Sequence, residues 1–263
     1  MQFFDSHAHY NDEKFNEDRE TVLKAVYEEG VTKLICAGYS LVSSKEAVEI
    51  ANTHPNIYAI VGISPNDIPE QQPYEQSLQE QLEQIHELAK NEKVVAIGEI
   101  GLDYYWNKEN KEQQKLAFIK QIELANQLEL PIVIHTREAI FDTIEILKSR
   151  IVPIKKGIFH CCPLNLDLIR EGLKLGFYIS FAGPITFKNS KNAKEAIQAV
   201  PLDKILIETD SPYLAPEPKR GTRNDSRNVK YMAEKIAQVK GMTVEEVAKI
   251  TYENAKKIFE IKL

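Results

Sequence analysis

Histidine and carboxylate side chains recur in this sequence at the points where short apolar runs end. The chain contains six histidines, and four of them stand at such points together with two carboxylates. The residues that share this position are His7, His9, Glu99, His135, His160 and Asp210. Burying so many polar groups without partners costs free energy, and a bound cation is a partner that imidazole and carboxylate can share. The pattern therefore predicts a metal site built from these residues.

The types and the number of these ligands predict a pair of divalent ions. Imidazole together with carboxylate suits zinc, manganese, iron or nickel and suits calcium poorly. Six ligands are too many for one tetrahedral zinc and about right for two ions that share a carboxylate. Paired ions about 3.5–4 Å apart can activate a water and stabilise the attacking and leaving oxygens of a hydrolysis. We expect two divalent ions, magnesium, manganese or zinc, and the ligand types leave the native metal open.

The positions of the residues predict how they divide between the two ions. His7 and His9 are two residues apart, so in an extended strand both side chains point to the same face. We expect one ion to be held by His7, His9 and Asp210, the other by His135 and His160, and Glu99 to bridge them. Asp210 and Glu99 are the predicted catalytic residues, and Asp210 can also accept the proton of the attacking water.

Three further carboxylates stand beside these residues in the sequence. Asp5 either orients a ligating histidine or accepts a backbone hydrogen bond at the strand end. Asp103 is expected to cap a helix or turn rather than bind metal. Glu208, two residues before Asp210, is either a partner of a ligating histidine or part of an ion pair inside the fold, and both interpretations stay open.

Eight apolar runs alternate with amphipathic stretches and must position the candidate ligands. Eight strand–helix units in 263 residues favour a closed parallel barrel, the TIM (β/α)8 fold of the α/β class, which needs about 250 residues. A doubly wound open sheet would more often show a Gly-rich loop after an early strand, and none follows the first run. We predict one barrel domain over residues 1–263, with strands at Phe3–Asp5, Lys33–Ala37, Tyr58–Ile63, Val94–Ile100, Ile132–His135, Gly157–Cys161, Phe177–Phe181 and Ile205–Glu208.

Helices are predicted where apolar residues recur at three- and four-residue spacing. Such stretches are Arg19–Glu29, Tyr74–Lys90, Lys111–Leu128 and Ala139–Lys148. Residues 229–261 predict one or two more helices, with a break near Gly241 and a capping box formed by Thr243 and Glu246. In a parallel barrel the functional residues lie at the C-terminal ends of the strands, which is where the six candidate ligands fall.

Composition limits the partners and the compartment. The formal net charge is −6, so the chain lacks the basic character of a general nucleic-acid coat, and any contact with nucleic acid must be local or use bound cations. No apolar run reaches about 18 residues, and no secretory signal is recognised at the N-terminus. Three cysteines make a poor disulfide framework. We expect a cytoplasmic protein that is a monomer or a weak oligomer and does not associate with membranes.

Five segments resemble the TatD family of metal-dependent deoxyribonucleases, in the order that the family shows and over nearly the whole chain. The segments are Phe4–His9, Ala96–Tyr104, Pro131–Arg137, Phe159–Cys161 and Glu208–Leu214. The resemblance implies a TIM barrel of the amidohydrolase type, two divalent ions and hydrolysis of DNA phosphodiester bonds, often as a 3′–5′ exonuclease. The roles that the family gives to the matching positions agree with the ligand assignment above.

The chain departs from the family pattern at three places. Family members commonly carry Gly-x-His-Pro-His after the third strand, and here Ser64 and Asn66 stand in the two histidine positions. These side chains can hydrogen-bond a substrate phosphate, but they cannot match a histidine as cation or proton donor. The usual Phe-Ser-Gly after the sixth strand is replaced by Cys162-Pro163-Leu164, and the Arg-Asn-Glu-Pro signature of the last loop appears as Arg223-Asn224-Asp225-Ser226.

The expected substrate is DNA, single-stranded or at 3′ ends, and several side chains are expected to contact it. The predicted substrate-binding residues are Ser64, Asn66, Trp106, Arg137, Arg220 and Arg223. Arginines in the last loop can bind phosphates, or they can belong to a solvated loop. Trp106 can stack a nucleobase, or it can pack over the top of the barrel.

Two other functions stay open. The same centre can hydrolyse an ester or amide, such as the aminoacyl ester of a D-aminoacyl-tRNA. Many amide-cleaving relatives bridge their metals with a modified lysine on the fourth strand, whereas this chain has Glu99 there and Lys93 at the other end of the run, which favours the phosphodiesterase. A catalytically weak metal-binding scaffold is the third hypothesis, and Ser64 and Asn66 are the residues that support it.

Overall fold

Eight parallel strands follow one another in sequence order around a barrel in the computed structural model, which describes residues 1–261 and, at residues 149 and 150, the backbone alone. The strands are β1 (Phe3–Ala8), β2 (Val31–Ala37), β3 (Ile57–Val61), β4 (Val94–Asp103), β5 (Ile132–Arg137), β6 (Gly157–Phe159), β7 (Tyr178–Phe181) and β8 (Ile205–Ile207). All eight predicted runs are found as strands. The predicted TIM barrel is confirmed.

Helices follow the strands and cover the outside of the barrel. They are α1 (Arg19–Glu28), α2 (Leu41–Thr53), α3 (Tyr74–Leu88), α4 (Lys111–Leu128), α5 (Ile140–Glu145, continued by a π-helical turn Ile146–Arg150), α6 (Leu166–Lys174), α7 (Ala193–Ala199), α8 (Val229–Lys240) and α9 (Val244–Ile258). The predicted capping box is confirmed, because Thr243 Oγ1 accepts from the backbone N–H of Glu246 and the Glu246 carboxylate accepts from that of Thr243. Within residues 1–261, we find no helix with the length and apolarity that crossing a bilayer requires.

The inside of the barrel is filled by apolar side chains near its N-terminal end. Every strand contributes to this inner cluster, for example through Phe4 of β1 and Leu206 of β8. Residues from α9 and the segment after it close the barrel from below, and the ring of Phe259 stacks on that of Phe4 at 6.2 Å. Because this end is plugged, the polar strand ends at the opposite side are the part of the interior that is open to a ligand.

The barrel closes at a seam between β1 and β8. Regular ladder pairing joins each strand to its sequence neighbour, and in the described residues it does not join β8 to β1. Separate hydrogen bonds close the seam instead: the backbone N–H of Asp210 donates to the carbonyl of His7 at 2.9 Å, and that of His9 donates to the carbonyl of Ser211 at 2.6 Å. The seam therefore holds the first and last strands together beside the candidate ligands.

Candidate metal centre and substrate cavity

Five strand ends bring the six predicted ligands to one place at the mouth of the barrel. His7 and His9 come from β1 and the residue after it, Glu99 from β4, His135 from β5, His160 from just after β6 and Asp210 from just after β8. The side chains are nearly or mostly buried; that of His135, at 21% exposed, is the most accessible of the set. The prediction that these residues meet is confirmed by the geometry, and their role as ligands remains a prediction.

The first group of ligand atoms is spaced as atoms around one ion would be. Nε2 of His9 lies 3.2 Å from Nε2 of His7 and 3.2 Å from Oδ1 of Asp210. Nε2 of His7 lies 3.4 Å from Oε2 of Glu99. Atoms bound about 2.1 Å from one ion are about 3.0–3.4 Å from each other in octahedral or tetrahedral geometry. The donor set and its spacing therefore fit a divalent metal.

A second group with the same spacing lies against the other oxygen of Glu99. Oε1 of Glu99 is 3.1 Å from Nδ1 of His135 and 3.3 Å from Nε2 of His160. The two imidazole nitrogens are 3.4 Å apart. Since Glu99 directs one oxygen to each group, it has the geometry of a carboxylate that bridges two ions.

Hydrogen bonds on the far side of the rings fix which nitrogen faces the centre. Nδ1 of His9 lies 3.0 Å from the carbonyl oxygen of Ala37, which can only accept, so Nδ1 carries the proton and Nε2 has a free lone pair. Nδ1 of His160 faces Glu208 at 3.3 Å in the same way. Glu208 thus contacts a candidate ligand, as the first of its two interpretations expects, and the same contact is an ion pair when His160 is protonated. The ring of His7 differs, because its Nδ1 finds no hydrogen-bond partner among residues 1–261.

Charges within the cluster shift the pKa values of its members in opposite directions. Burial raises the pKa of Glu99, but the neighbouring imidazoles of His160, His135 and His7 outweigh burial and hold that pKa well below its usual range. Burial lowers the pKa of His160, yet the carboxylates of Glu99 and Glu208 bring it well above its usual range. Protonated imidazole therefore compensates the carboxylates in the metal-free centre, which is the role that a bound cation would take over.

The remaining two carboxylates have separate positions. Oδ1 of Asp103 accepts from the backbone N–H groups of Tyr105 and Trp106, so the predicted turn cap is confirmed, and Oδ2 lies 2.9 Å from Nε2 of His135. Within residues 1–261 the Asp5 carboxylate makes no hydrogen bond with an imidazole ring; it accepts from the side chains of Thr209 and Ser226 and from the backbone N–H groups of His7 and Thr209. The interpretation of Asp5 as an orienting residue for a histidine ring is therefore wrong, and the strand-end interpretation is right.

A cavity of about 840 Å³ lies above the cluster. Four of the predicted substrate-binding residues line it: Ser64, Asn66, Trp106 and Arg137. The guanidinium of Arg137 stacks on the ring of Tyr105, 3.7 Å from its centroid, and this contact holds a positive charge at the cavity wall. These four residues are brought together with the candidate ligands, as predicted.

The two arginines of the last loop are not brought to the cavity, and their predicted position is corrected. Among the described residues that line the cavity, neither Arg220 nor Arg223 occurs. The guanidinium of Arg223 pairs with the carboxylate of Asp18 at 2.6 Å, and that of Arg220 stacks on Phe187 at 3.8 Å. Each guanidinium is thus engaged with a neighbour on the outer surface, which the composition of the loop could not indicate.

Asp67 is a cavity residue that the sequence analysis missed. Its carboxylate accepts a hydrogen bond from Oγ of Ser64 at 2.6 Å, while Asn66 donates to Asp103 at 3.3 Å. Burial raises the pKa of Asp67, although the Ser64 hydrogen bond opposes that shift. The available signal was its position three residues after Ser64, since Ser and Asp at that spacing commonly bond across a turn, as the Asp67 N–H does to the Ser64 carbonyl here. The loop therefore places an ionisable group beside the centre.

Backbone geometry at Asp210 also marks the site. Asp210 has φ 54°, in the left-handed region that few non-glycine residues adopt. Such conformations persist where surrounding contacts hold them, and they occur often at functional sites. Here the seam bond from the N–H of Asp210 to His7 supplies one such contact, and it aims the carboxylate at the ring of His9.

Known proteins share the sequence and the fold of this chain over nearly its whole length. A sequence profile described as TatD related DNase matches residues 4–260. The chain is 45% identical over 258 residues to "Uncharacterized metal-dependent hydrolase YabD" of Bacillus subtilis, covering 98% of this chain and 99% of that protein. It is 36% identical over 264 residues to "Uncharacterized metal-dependent hydrolase YcfH" of Escherichia coli, covering 99% and 97%. The crystal structure of YJJV, a TatD homolog from Escherichia coli, is similar with a TM-score of 0.91, 26% identity and coverage of 99% and 98%.

Proposed function

Because the chain belongs to the TatD family of metal-dependent hydrolases, we propose that it is a deoxyribonuclease that hydrolyses phosphodiester bonds at single-stranded 3′ ends. The observation that carries this proposal is the carboxylate of Glu99, whose two oxygens face two separate groups of ligand atoms. That arrangement suits a pair of divalent ions, and such a pair supplies an activated water and stabilises the oxygens of the phosphate during hydrolysis.

The residues around the centre have complementary roles in this proposal. Burial raises the pKa of Asp210, but the hydrogen bond with His9 outweighs burial and keeps the carboxylate ionised, so that it can accept a proton from the attacking water. Arg137 offers a positive charge to the substrate phosphate from the cavity wall. Asp67 lines the same cavity, and burial raises the pKa of its carboxyl, so it is the candidate for the proton transfer to the leaving oxygen that the absent family histidines would otherwise perform.

The position of Lys93 bears on the ester or amide alternative. A lysine that bridges metals has to lie among the ligands, whereas Nζ of Lys93 binds the carbonyl oxygens of His54 and Pro55 beside the start of β4. This lysine is therefore absent from the centre, and the carboxylate of Glu99 takes the bridging position. The observation favours phosphodiester hydrolysis.

The three cysteines are free, which supports the further proposal of a reducing, cytoplasmic compartment.

Hydrolysis of DNA by the metal-loaded protein tests the proposed function. The protein is reconstituted with magnesium, manganese or zinc and incubated with single-stranded DNA labelled at its 5′ end, so that removal of nucleotides from the 3′ end gives a ladder. Asp210→Asn is expected to lower the rate by about 10²–10⁴-fold. Asp142→Asn is the matched control, because the carboxylate of Asp142 binds Tyr104 and Lys115 away from the centre.

Metal content is measured on the same preparations, so that loss of a proton acceptor is distinguished from loss of an ion. Undiminished release of nucleotides by Asp210→Asn would contradict the role given to Asp210. Absence of release with all three metals would contradict the deoxyribonuclease itself.

A further inference from the structure

A second cavity, of about 630 Å³, adjoins the cavity above the metal centre. Asn66 and Trp106 line both, so the two spaces meet at these residues. The second cavity lies between the loop that follows β3 and the loop that follows β4. A ligand whose phosphate lies at the metal centre can therefore extend into this space past Trp106.

Side-chain amides line the second cavity, and local bonds determine which end of each amide is available. The carboxamide oxygen of Asn107 accepts from the backbone N–H groups of Glu109 and Asn110 at 3.0 and 3.3 Å. That of Gln72 accepts from the backbone N–H of Tyr74 at 3.2 Å. A backbone N–H can only donate, so these contacts fix the oxygens and leave the NH₂ groups of Gln72 and Asn107 for a ligand.

Asn110 shows the same arrangement, and Gln113 adds a further amide. Oδ1 of Asn110 accepts from Nε2 of Gln114 at 2.8 Å, and Gln114 is itself oriented because its Oε1 accepts from the backbone N–H of Asp103. The side chain of Gln113 makes no hydrogen bond within residues 1–261. The wall therefore presents several amide donors, a pattern that matches a ligand with hydrogen-bond acceptors.

The charge of the wall indicates that the ligand group is neutral. Among the described residues that line the second cavity, Glu70 is the charged one, and no arginine, lysine or histidine joins it. A phosphate would meet a carboxylate without a compensating cation, which is unfavourable. An uncharged group that carries acceptors meets the amide donors without that repulsion.

Trp106 provides a flat surface at the entrance. Its side chain is 68% exposed, and its ring makes an edge contact with Tyr105, with the two ring planes at 87°. Arg137 covers the ring of Tyr105 and thus supports this arrangement from the first cavity. An exposed indole held by its neighbours is suited to stack a planar ring.

We propose that this second cavity binds one unpaired nucleobase of the substrate, stacked on Trp106 and hydrogen-bonded through its acceptor atoms to the amides of Asn107, Asn110 and Gln113. The inference rests on the proposed function, because it places the base next to the phosphodiester that is cleaved. A base in a duplex is stacked and paired, so it cannot enter the cavity until it is released. The cavity thereby gives the site a preference for single-stranded ends over duplex.

Tryptophan fluorescence tests the inference without any turnover. Trp106 is the only tryptophan of the chain, so the emission reports this position alone. Chelated protein is titrated with thymidine, and with deoxyribose as the base-free probe. Saturable quenching by thymidine and none by deoxyribose is expected. Gln113→Ala should weaken thymidine binding about threefold to tenfold, as expected for loss of a neutral hydrogen bond. Gln127→Ala, on the exposed side of the same helix, should bind as the wild type does.

Kinetics on DNA supply the second readout. Trp106→Ala should raise KM about tenfold with little change in kcat, and Trp106→Phe should restore most of the affinity, because the stacking surface returns. Phe141→Ala, which removes an aromatic ring that is 78% exposed on α5, is the control.

The outcomes separate the inference from the proposed function. Hydrolysis of DNA without quenching by thymidine, or with a KM that Trp106→Ala leaves unchanged, overturns the base site and leaves the deoxyribonuclease in place. Quenching by thymidine without hydrolysis of DNA overturns the deoxyribonuclease and leaves a base-binding cavity.

Discussion

The carboxylate of Asp103 lies 2.9 Å from Nε2 of His135, and this contact turns Nδ1 of the same ring towards Glu99, 3.1 Å away. His135 therefore meets the candidate metal centre through the nitrogen opposite to the one that His9 and His160 present. A hydrogen-bonded carboxylate behind a ligating imidazole fixes the ring and increases its basicity.

Asp103→Asn should weaken metal binding by about 10–100-fold, because the side chain keeps its shape and loses its charge behind His135. The pKa of Asp103 is lowered to about 2, since contact with His135 outweighs the opposing effect of burial, so the carboxylate is charged at neutral pH. Competition with a chelator measures the affinity. Glu83→Gln, on the outer face of α3, serves as the control, and equal affinities of Asp103→Asn and wild type would refute this role.

Glu99→Ala should remove roughly both ions, because the variant lacks the carboxylate that faces both groups of ligands. Elemental analysis of the purified variant gives the metal content per chain. Glu208→Ala should lower the metal content less than Glu99→Ala does, since Glu208 contacts the ring of His160 on the side that faces away from Glu99. A Glu99→Ala protein with its full metal content would show that the carboxylate does not bridge.

Metal binding should release protons at pH 7. In the metal-free protein burial lowers the pKa of His160, but Glu99 and Glu208 raise it well above its ordinary value, so the ring is charged and must lose a proton before it can bind metal. Titration of zinc into chelated, weakly buffered protein with a pH indicator should detect this release, and the apparent affinity should increase with pH. Binding that is independent of pH between 6 and about 8 would contradict it.

The same group makes the stability of the metal-free protein depend on pH. Because the pKa of His160 is raised in the folded state, its charged form contributes stability below the unfolded value of about 6.5. This contribution is lost as pH rises through the raised value. Chelated protein should therefore lose stability in alkaline solution relative to a His160→Asn variant, as measured by urea unfolding.

Asp5→Asn should become more stable relative to the wild type as pH increases. Burial raises the pKa of Asp5 to about 7, although hydrogen bonds from Ser226, Thr209 and His7 oppose the shift. The unfolded carboxyl ionises near pH 4, so the wild type loses stability between about pH 4 and 7, whereas asparagine has no proton to lose. The relative gain should be on the order of a few kcal/mol between pH 5 and 8 in urea unfolding. A difference that stays constant with pH would contradict this prediction.

The barrel and the ligand set could be predicted because each depends on local sequence. Short β-branched runs identify strands by themselves, and the topology of a parallel barrel then places all strand ends on one side. Helices α2, α6 and α7 were not predicted. In α2, the small polar residues Ser43 and Ser44 are buried, so the packed face of the helix lacks the apolar spacing by which a helix is predicted. Ser44 is buried because its hydroxyl forms hydrogen bonds with the backbone of Gly62.

The contacts behind the ligands could not be predicted, because they join residues that are far apart in sequence. Glu208 reaches His160 across 48 residues, and Arg223 reaches Asp18 across 205. Such pairs depend on the register of strands and on the rotamers of side chains, which composition and periodicity do not determine. The sequence therefore predicted where the six candidate ligands lie and misplaced Arg220 and Arg223.

The seam between β1 and β8 also joins candidate ligands from the two ends of the chain. His7 and His9 leave the ribosome early, but Asp210 and the backbone groups that bind them are synthesised about 200 residues later. A chain that stops before Asp210 has two unpaired strand edges and an incomplete ligand set. Binding of the ion expected at His7, His9 and Asp210 should thus follow synthesis of the last strand, and fragments that stop short of it should stay without hydrolytic activity in the cell.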